Sequence, residues 1–112
     1  MNSLKNLQKT AISFRDERNW KQFHKIKDML ISLQIETAEL LELFQWKGEE
    51  EIAEIEGERI GDELSDILYW LLLLSNDLNI DLTTAFQNKM EKNKEKYPID
   101  KAHSSSKKYT EF

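Results

Sequence analysis

The sequence predicts an all-α domain. Three observations carry this. Pro98 is the only proline, so nothing before it is barred from a helix. Three glycines punctuate 112 residues, and the composition leans on Leu, Glu, Lys and Ile. Apolar residues recur at spacings of three and four, the period of a helix face. The length suits one domain. Cysteine is absent, which excludes a disulfide frame and a thiolate metal site. That agrees with a reducing compartment, and the expected location is cytoplasmic.

Ser3 is a suitable N-cap for a first helix whose stripe is Leu4, Leu7, Ala11 and Phe14. This helix should fade near Asn19, with a short connection through Trp20, Phe23 and His24. A second helix is expected from about Lys27 to Trp46, with Leu30, Leu33, Leu40, Leu41 and Phe44 on a wide apolar face. Gly48 and the run Glu49 to Glu51 read as a break, with the acids on the surface. A third helix is firm from about Glu58 to Leu78, its start blurred by Gly57 and Gly61. From Leu64 to Leu74 it is apolar nearly all round, so it should be central or lie in a subunit interface. In so small a domain this predicts a homo-oligomer, a dimer or tetramer. Asp81 caps a fourth helix, Leu82 to Tyr97, which Pro98 stops. The domain is therefore 1–98. Residues 99–112 read as a polar, flexible tail.

Several classes are disfavoured. The longest apolar run, Ile67 to Leu74, is far short of the ~20 residues of a membrane span. The first residues lack the pattern of a signal peptide. A net charge of −5 argues against a nucleic-acid partner, despite Lys107 and Lys108 in the tail.

The chemistry concentrates in four acids. Glu36 and Glu39 are three apart among leucines, and Glu63 and Asp66 repeat the spacing on the next helix. Residues three apart share a helix face. A short link should pack the two helices antiparallel, so both pairs can face one space. Four carboxylates there would repel one another and lose hydration, which a hard divalent cation offsets. Mg²⁺ suits such a site. The competing reading is a solvated acidic face, since a single pair of this spacing is common on helix surfaces. A di-iron bundle needs a histidine three residues after a glutamate on two helices. Neither His24 nor His103 stands there.

Paired acids on successive helices resemble the MazG-like superfamily of all-α nucleoside triphosphate pyrophosphohydrolases. The likeness sharpens in ordered segments: FRDERNWKQFH (Phe14–His24), ETAELLELFQWK (Glu36–Lys47), ELSDILYWL (Glu63–Leu71), KMEKNKEKYP (Lys89–Pro98) and SSSKKYTEF (Ser104–Phe112). In order, these resemble the dCTP pyrophosphatases of that superfamily over nearly the whole chain. The resemblance implies a four-helix protomer in a homo-oligomeric bundle. It implies Mg²⁺-dependent hydrolysis of a nucleoside triphosphate to monophosphate and pyrophosphate. It makes Glu36, Glu39, Glu63 and Asp66 the metal ligands, with Glu36 or Glu39 the general base. It places Lys89, Asn93 and Lys96 near the phosphates. Trp20 and Trp46 would enclose the base, with His24 close to the substrate.

The chain also departs from that pattern. Animal members carry a histidine where this chain has Ala11. They carry a tyrosine where it has Trp70, with Tyr69 just before. Trp70 is thus the candidate at that base-contacting position. The link between the second and third helices is also shorter. These changes touch the base pocket and leave the acids intact. The same chemistry on dUTP or a damaged nucleotide is the first alternative. A non-catalytic helical interaction module is the second.

Overall fold

The computed structural model describes residues 3–111. The chain divides into two compact units, residues 1–79 and 80–112. The described residues contain helices and turns and no strand. None of the helices is long and apolar enough to cross a membrane.

The first unit holds α1 (Leu4–Glu17), a 3₁₀ turn (Lys21–Phe23), α2 (Ile26–Glu42), a one-turn α3 (Glu49–Ile52) and α4 (Gly57–Asp77). Ser3 caps α1 as its sequence position suggests, its Oγ accepting from the Asn6 N–H at 3.2 Å. α2 stops at Glu42, short of the expected Trp46. Beyond it the chain tightens into turns: the Phe44 N–H donates to Leu41 O at 2.9 Å and the Lys47 N–H to Phe44 O at 3.2 Å. Trp46 itself adopts φ 64°, the left-handed conformation that ends helices. The acids Glu49 to Glu51, expected as mere linker, form the first turn of α3, where negative charge suits the helix dipole.

α4 packs against both α2 and α1. The core is Ala11 of α1, Met29 of α2 and Leu72, Leu73 and Leu74 of α4. Deep burial is thus confined to the C-terminal half of α4. Leu64 and Leu71, in the run expected to be covered all round, stay 52% and 38% exposed in the single chain. Polar links fasten α1 to this end of α4. Arg15 is almost fully buried, and its Nη1 meets Asp77 Oδ2 at 2.8 Å. Asn76 Nδ2 donates to the other Asp77 oxygen at 3.1 Å. Gln8 Nε2 donates to Leu72 O at 2.9 Å and to Ser75 Oγ at 3.1 Å.

The second unit holds α5 (Leu82–Lys96), a one-turn α6 (Ile99–Ala102) and a 3₁₀ turn (Tyr109–Glu111). Asp81 caps α5, its Oδ1 accepting from the Thr84 N–H at 3.2 Å. α5 ends at Lys96, just ahead of Pro98. The tail carries local structure. The Tyr109 ring stands edge-on to Tyr97 at 5.9 Å, and Lys96 Nζ lies 4.9 Å from its centroid.

The Arg15–Asp77 pair generates a stability prediction. Asp77→Ala strands a buried guanidinium, so the chain should lose ~3–5 kcal/mol, measured by urea unfolding.

Candidate active site

Glu36 and Glu39 come from α2 and Glu63 from α4, and the packing of these helices makes them neighbours. Each offers a carboxylate oxygen, and the three oxygens lie within 4.8 Å of one another. Asp66, one turn further along α4, stands outside this trio. Its charge still reaches Glu36 and Glu63.

Such crowding opposes ionisation. Burial, a hydrogen bond shared with Glu39, and the charges of Asp66, Glu39 and Glu63 push the Glu36 carboxyl up to about 7. Burial first, then the charges of Glu39 and Asp66, raises Glu63 above the usual carboxylate range. One oxygen on each, Oε2, is buried without a hydrogen-bond partner. Buried carboxylate oxygens are ordinarily satisfied. An all-oxygen donor set with two orphaned members is what a hard divalent cation accepts, so the residues fit Mg²⁺.

Asp66 also lines a cleft of about 430 Å³ between α1 and α4. Its walls are Leu7, Ala11 and Phe14 on one side and Leu68, Tyr69 and Leu72 on the other, with Thr10 and Ser65 as further polar lining. Asp66 therefore connects the acids to an apolar slot. A run of edge-on ring contacts borders it: Trp20 to Phe14 at 5.7 Å, Phe14 to Tyr69 at 5.9 Å, Tyr69 to Trp70 at 5.1 Å, and Trp70 to His24 at 5.0 Å. Arg18 stacks on Phe14, its guanidinium carbon 3.8 Å from the ring centroid. The His24 imidazole is held below its ordinary range by burial and then by the charge of Arg15, with Asp77 opposing.

Trp20, His24 and Trp70 thus belong to one aromatic chain beside the slot. Trp70 packs on His24 and does not line the slot, while Tyr69 does. Trp46 is 91% exposed and lies outside the cleft of its own chain. Lys89, Asn93 and Lys96 follow one another along α5 in the second unit, with Lys96 against Tyr109. Sequence reasoning passed over Tyr69. Spacing alone could not separate it from Trp70, since three and four residues after Asp66 both lie on its side of the helix.

Fold and site define an all-α protein with a carboxylate cluster beside an aromatic-walled cleft. The chain belongs to the MazG-like family, which matches residues 31–112 and so includes all four acids. It is 39% identical over 115 residues to human dCTP pyrophosphatase 1, a match covering 98% of this chain and 68% of the human protein. The mouse dCTP pyrophosphatase 1 is 35% identical over the same shares of each chain. A crystal structure of a pyrophosphatase from Archaeoglobus fulgidus superposes with a TM-score of 0.78 at 39% identity, covering 84% of this chain and 91% of that one.

The acids predict how stability depends on pH without metal. A carboxyl raised from 4.5 to about 7 binds more protons folded than unfolded across that interval. Its contribution is complete below the unfolded value and is lost as pH climbs through about 7. The metal-free chain should therefore lose stability over this window. Glu36→Gln should flatten the decline and leave the chain more stable at about pH 8, read from melting temperatures in EDTA.

Proposed function

We propose that this chain hydrolyses a deoxynucleoside triphosphate, dCTP or a related or modified nucleotide, to the monophosphate and pyrophosphate with Mg²⁺ as cofactor. The class, a nucleoside triphosphate diphosphatase, rests on its MazG-like family and on the dCTP pyrophosphatases it resembles. The observation that carries the proposal is the convergence of Glu36, Glu39 and Glu63 with two orphaned oxygens. An apolar, aromatic-walled slot adjoins them.

Glu36, Glu39, Glu63 and Asp66 would hold the cation. Bound Mg²⁺ neutralises triphosphate charge and lowers the pKa of a bound water. The general base must accept a proton near neutral pH and return it. Glu36 or Glu39 would take this role, whichever carboxylate the cation leaves unsaturated. The base of the nucleotide would lie in the cleft beside Asp66, with Trp20 at its border as stacking surface; a base on a ring is worth ~1–3 kcal/mol. By family likeness, Lys89, Asn93 and Lys96 would meet the phosphates.

A homo-oligomer, dimer or tetramer, completes the proposal. Leu30, Ile31 and Ile35 line one exposed groove along α2, each about half exposed, and Leu41 is 68% exposed. A second copy covering this face would remove that apolar area from water. The work of such an enzyme, removing unwanted triphosphates, belongs in the cytoplasm.

Two measurements test this. Glu39→Ala and Asp66→Ala should each lower turnover at least ~10²-fold, as expected on losing several kcal/mol of charge stabilisation. Product analysis over dCTP, dUTP and damaged triphosphates should find monophosphate plus pyrophosphate. Diphosphate plus orthophosphate would refute attack at the α-phosphorus. Acid variants without effect would favour an interaction module.

A further inference from the structure

The cleft between α1 and α4 has few polar groups, and its two aliphatic hydroxyls are committed. Thr10 Oγ1 donates to Asn6 O at 3.2 Å, and Ser65 Oγ donates to Gly61 O at 2.7 Å. Their protons are spent within their own helices. The Tyr69 hydroxyl is different. It is buried, yet it has no hydrogen-bond partner. An unpaired buried hydroxyl is an exception that needs a reason. Its ring stands edge-on to both Phe14 and Trp70. Burial also keeps its proton on: it raises the phenol above its ordinary range, with the charges of Arg15 and Arg18 opposing.

The surroundings define what would satisfy it. The slot is apolar on both sides, which suits the faces of a flat ring. Its hydroxyl donor needs an acceptor on the edge of that ring. Asp66 lines the slot and its charge reaches Glu36 and Glu63, so a ring lying there could carry a charged group toward the carboxylates. A nucleobase linked to a triphosphate has this form. The Tyr69 ring lines the cleft, and Phe14, which meets it edge-on, is 42% exposed on the same cleft.

We infer that Tyr69 is the specificity-determining residue of this chain, its hydroxyl donating, once Phe14 shifts, to an acceptor on the edge of a nucleobase held in the α1–α4 cleft. The inference rests on the proposed triphosphate substrate and adds which side chain reads it. Trp70 faces His24 instead and supports the wall from behind. Ala11, at the buried floor, supplies the room.

The test is Tyr69→Phe, which keeps the ring and removes one oxygen. Binding of dCTP, dUTP, dATP, dGTP and dTTP is measured by calorimetry with Ca²⁺ in place of Mg²⁺, beside pyrophosphate release with Mg²⁺. The best-bound nucleotide should weaken roughly tenfold, the worth of about one hydrogen bond. The poorest should be unchanged, so the panel flattens. The melting temperature of the ligand-free variant should match or exceed that of the wild type, because the lost hydroxyl had no partner. A lower melting temperature would show that the hydroxyl supports the fold, and would overturn the inference. So would an equal loss for every base, or a wild type that binds all five alike. A wild type releasing no pyrophosphate, but whose base preference still flattens in the variant, would refute the hydrolase reading and uphold the role of Tyr69.

Discussion

The structure depends on one constraint: carboxylates from two helices are held closer together than their charges favour. Oxygens within 4.8 Å of one another repel and are partly desolvated. Nothing in the acids themselves keeps α2 beside α4. The apolar contacts do. Met29 and Leu72 to Leu74 bury enough surface to fix the pair, and the Arg15–Asp77 link fixes α1 against the same helix. The repulsion is therefore imposed by the core and released only by a proton or a cation. Glu36, raised to about 7, records the first outcome. Its orphaned oxygen, and that of Glu63, leave space for the second.

Much of this frame was legible in the residues. Caps are local, so Ser3 and Asp81 could be named and both accept the expected N–H groups. Acids three apart must share a helix face, so their convergence needed only antiparallel neighbours. What escaped was whatever depends on tertiary geometry. The end of α2 carries no glycine at the turning residue; Trp46 takes the left-handed conformation instead, which propensity does not announce. The acids after Gly48 looked like linker because a one-turn helix has no periodicity to detect. In the tail, Tyr109 stands edge-on to Tyr97, a contact that composition does not reveal.

The slot shows the same limit more sharply. Adjacent positions on an α-helix point about 100° apart, since 3.6 residues make a turn. Tyr69 and Trp70 therefore address different neighbours although they adjoin in sequence. Tyr69 lies about 60° to one side of Asp66 and meets α1 across the slot, whereas Trp70 lies about 40° to the other side and turns to His24. Alignment by likeness drew attention to Trp70, one turn after Asp66. Rotation about the helix axis gave the slot to its neighbour. Which aromatic serves the site was a question of angle, and only packing against α1 could answer it.

α4 explains how so small a chain can hold an acid cluster at all. Along its axis the environment changes turn by turn. Glu63 and Asp66 occupy the first half, where Leu64 is still open and water can solvate part of the charge. Tyr69 and Trp70 follow, rings whose polar tips tolerate a half-buried position. Leu72, Leu73 and Leu74 then enter the deepest part of the core. The reverse order would place the carboxylates where desolvation is greatest, and the leucines where they bury least. Grading polarity along one helix lets the far end anchor what the near end destabilises. It also fixes a mechanical relation: any movement of the leucines is passed directly to the carboxylates, because both are on the same rigid rod. The position of the acids is thus set by the core rather than by the site, and a cation would meet ligands already in place.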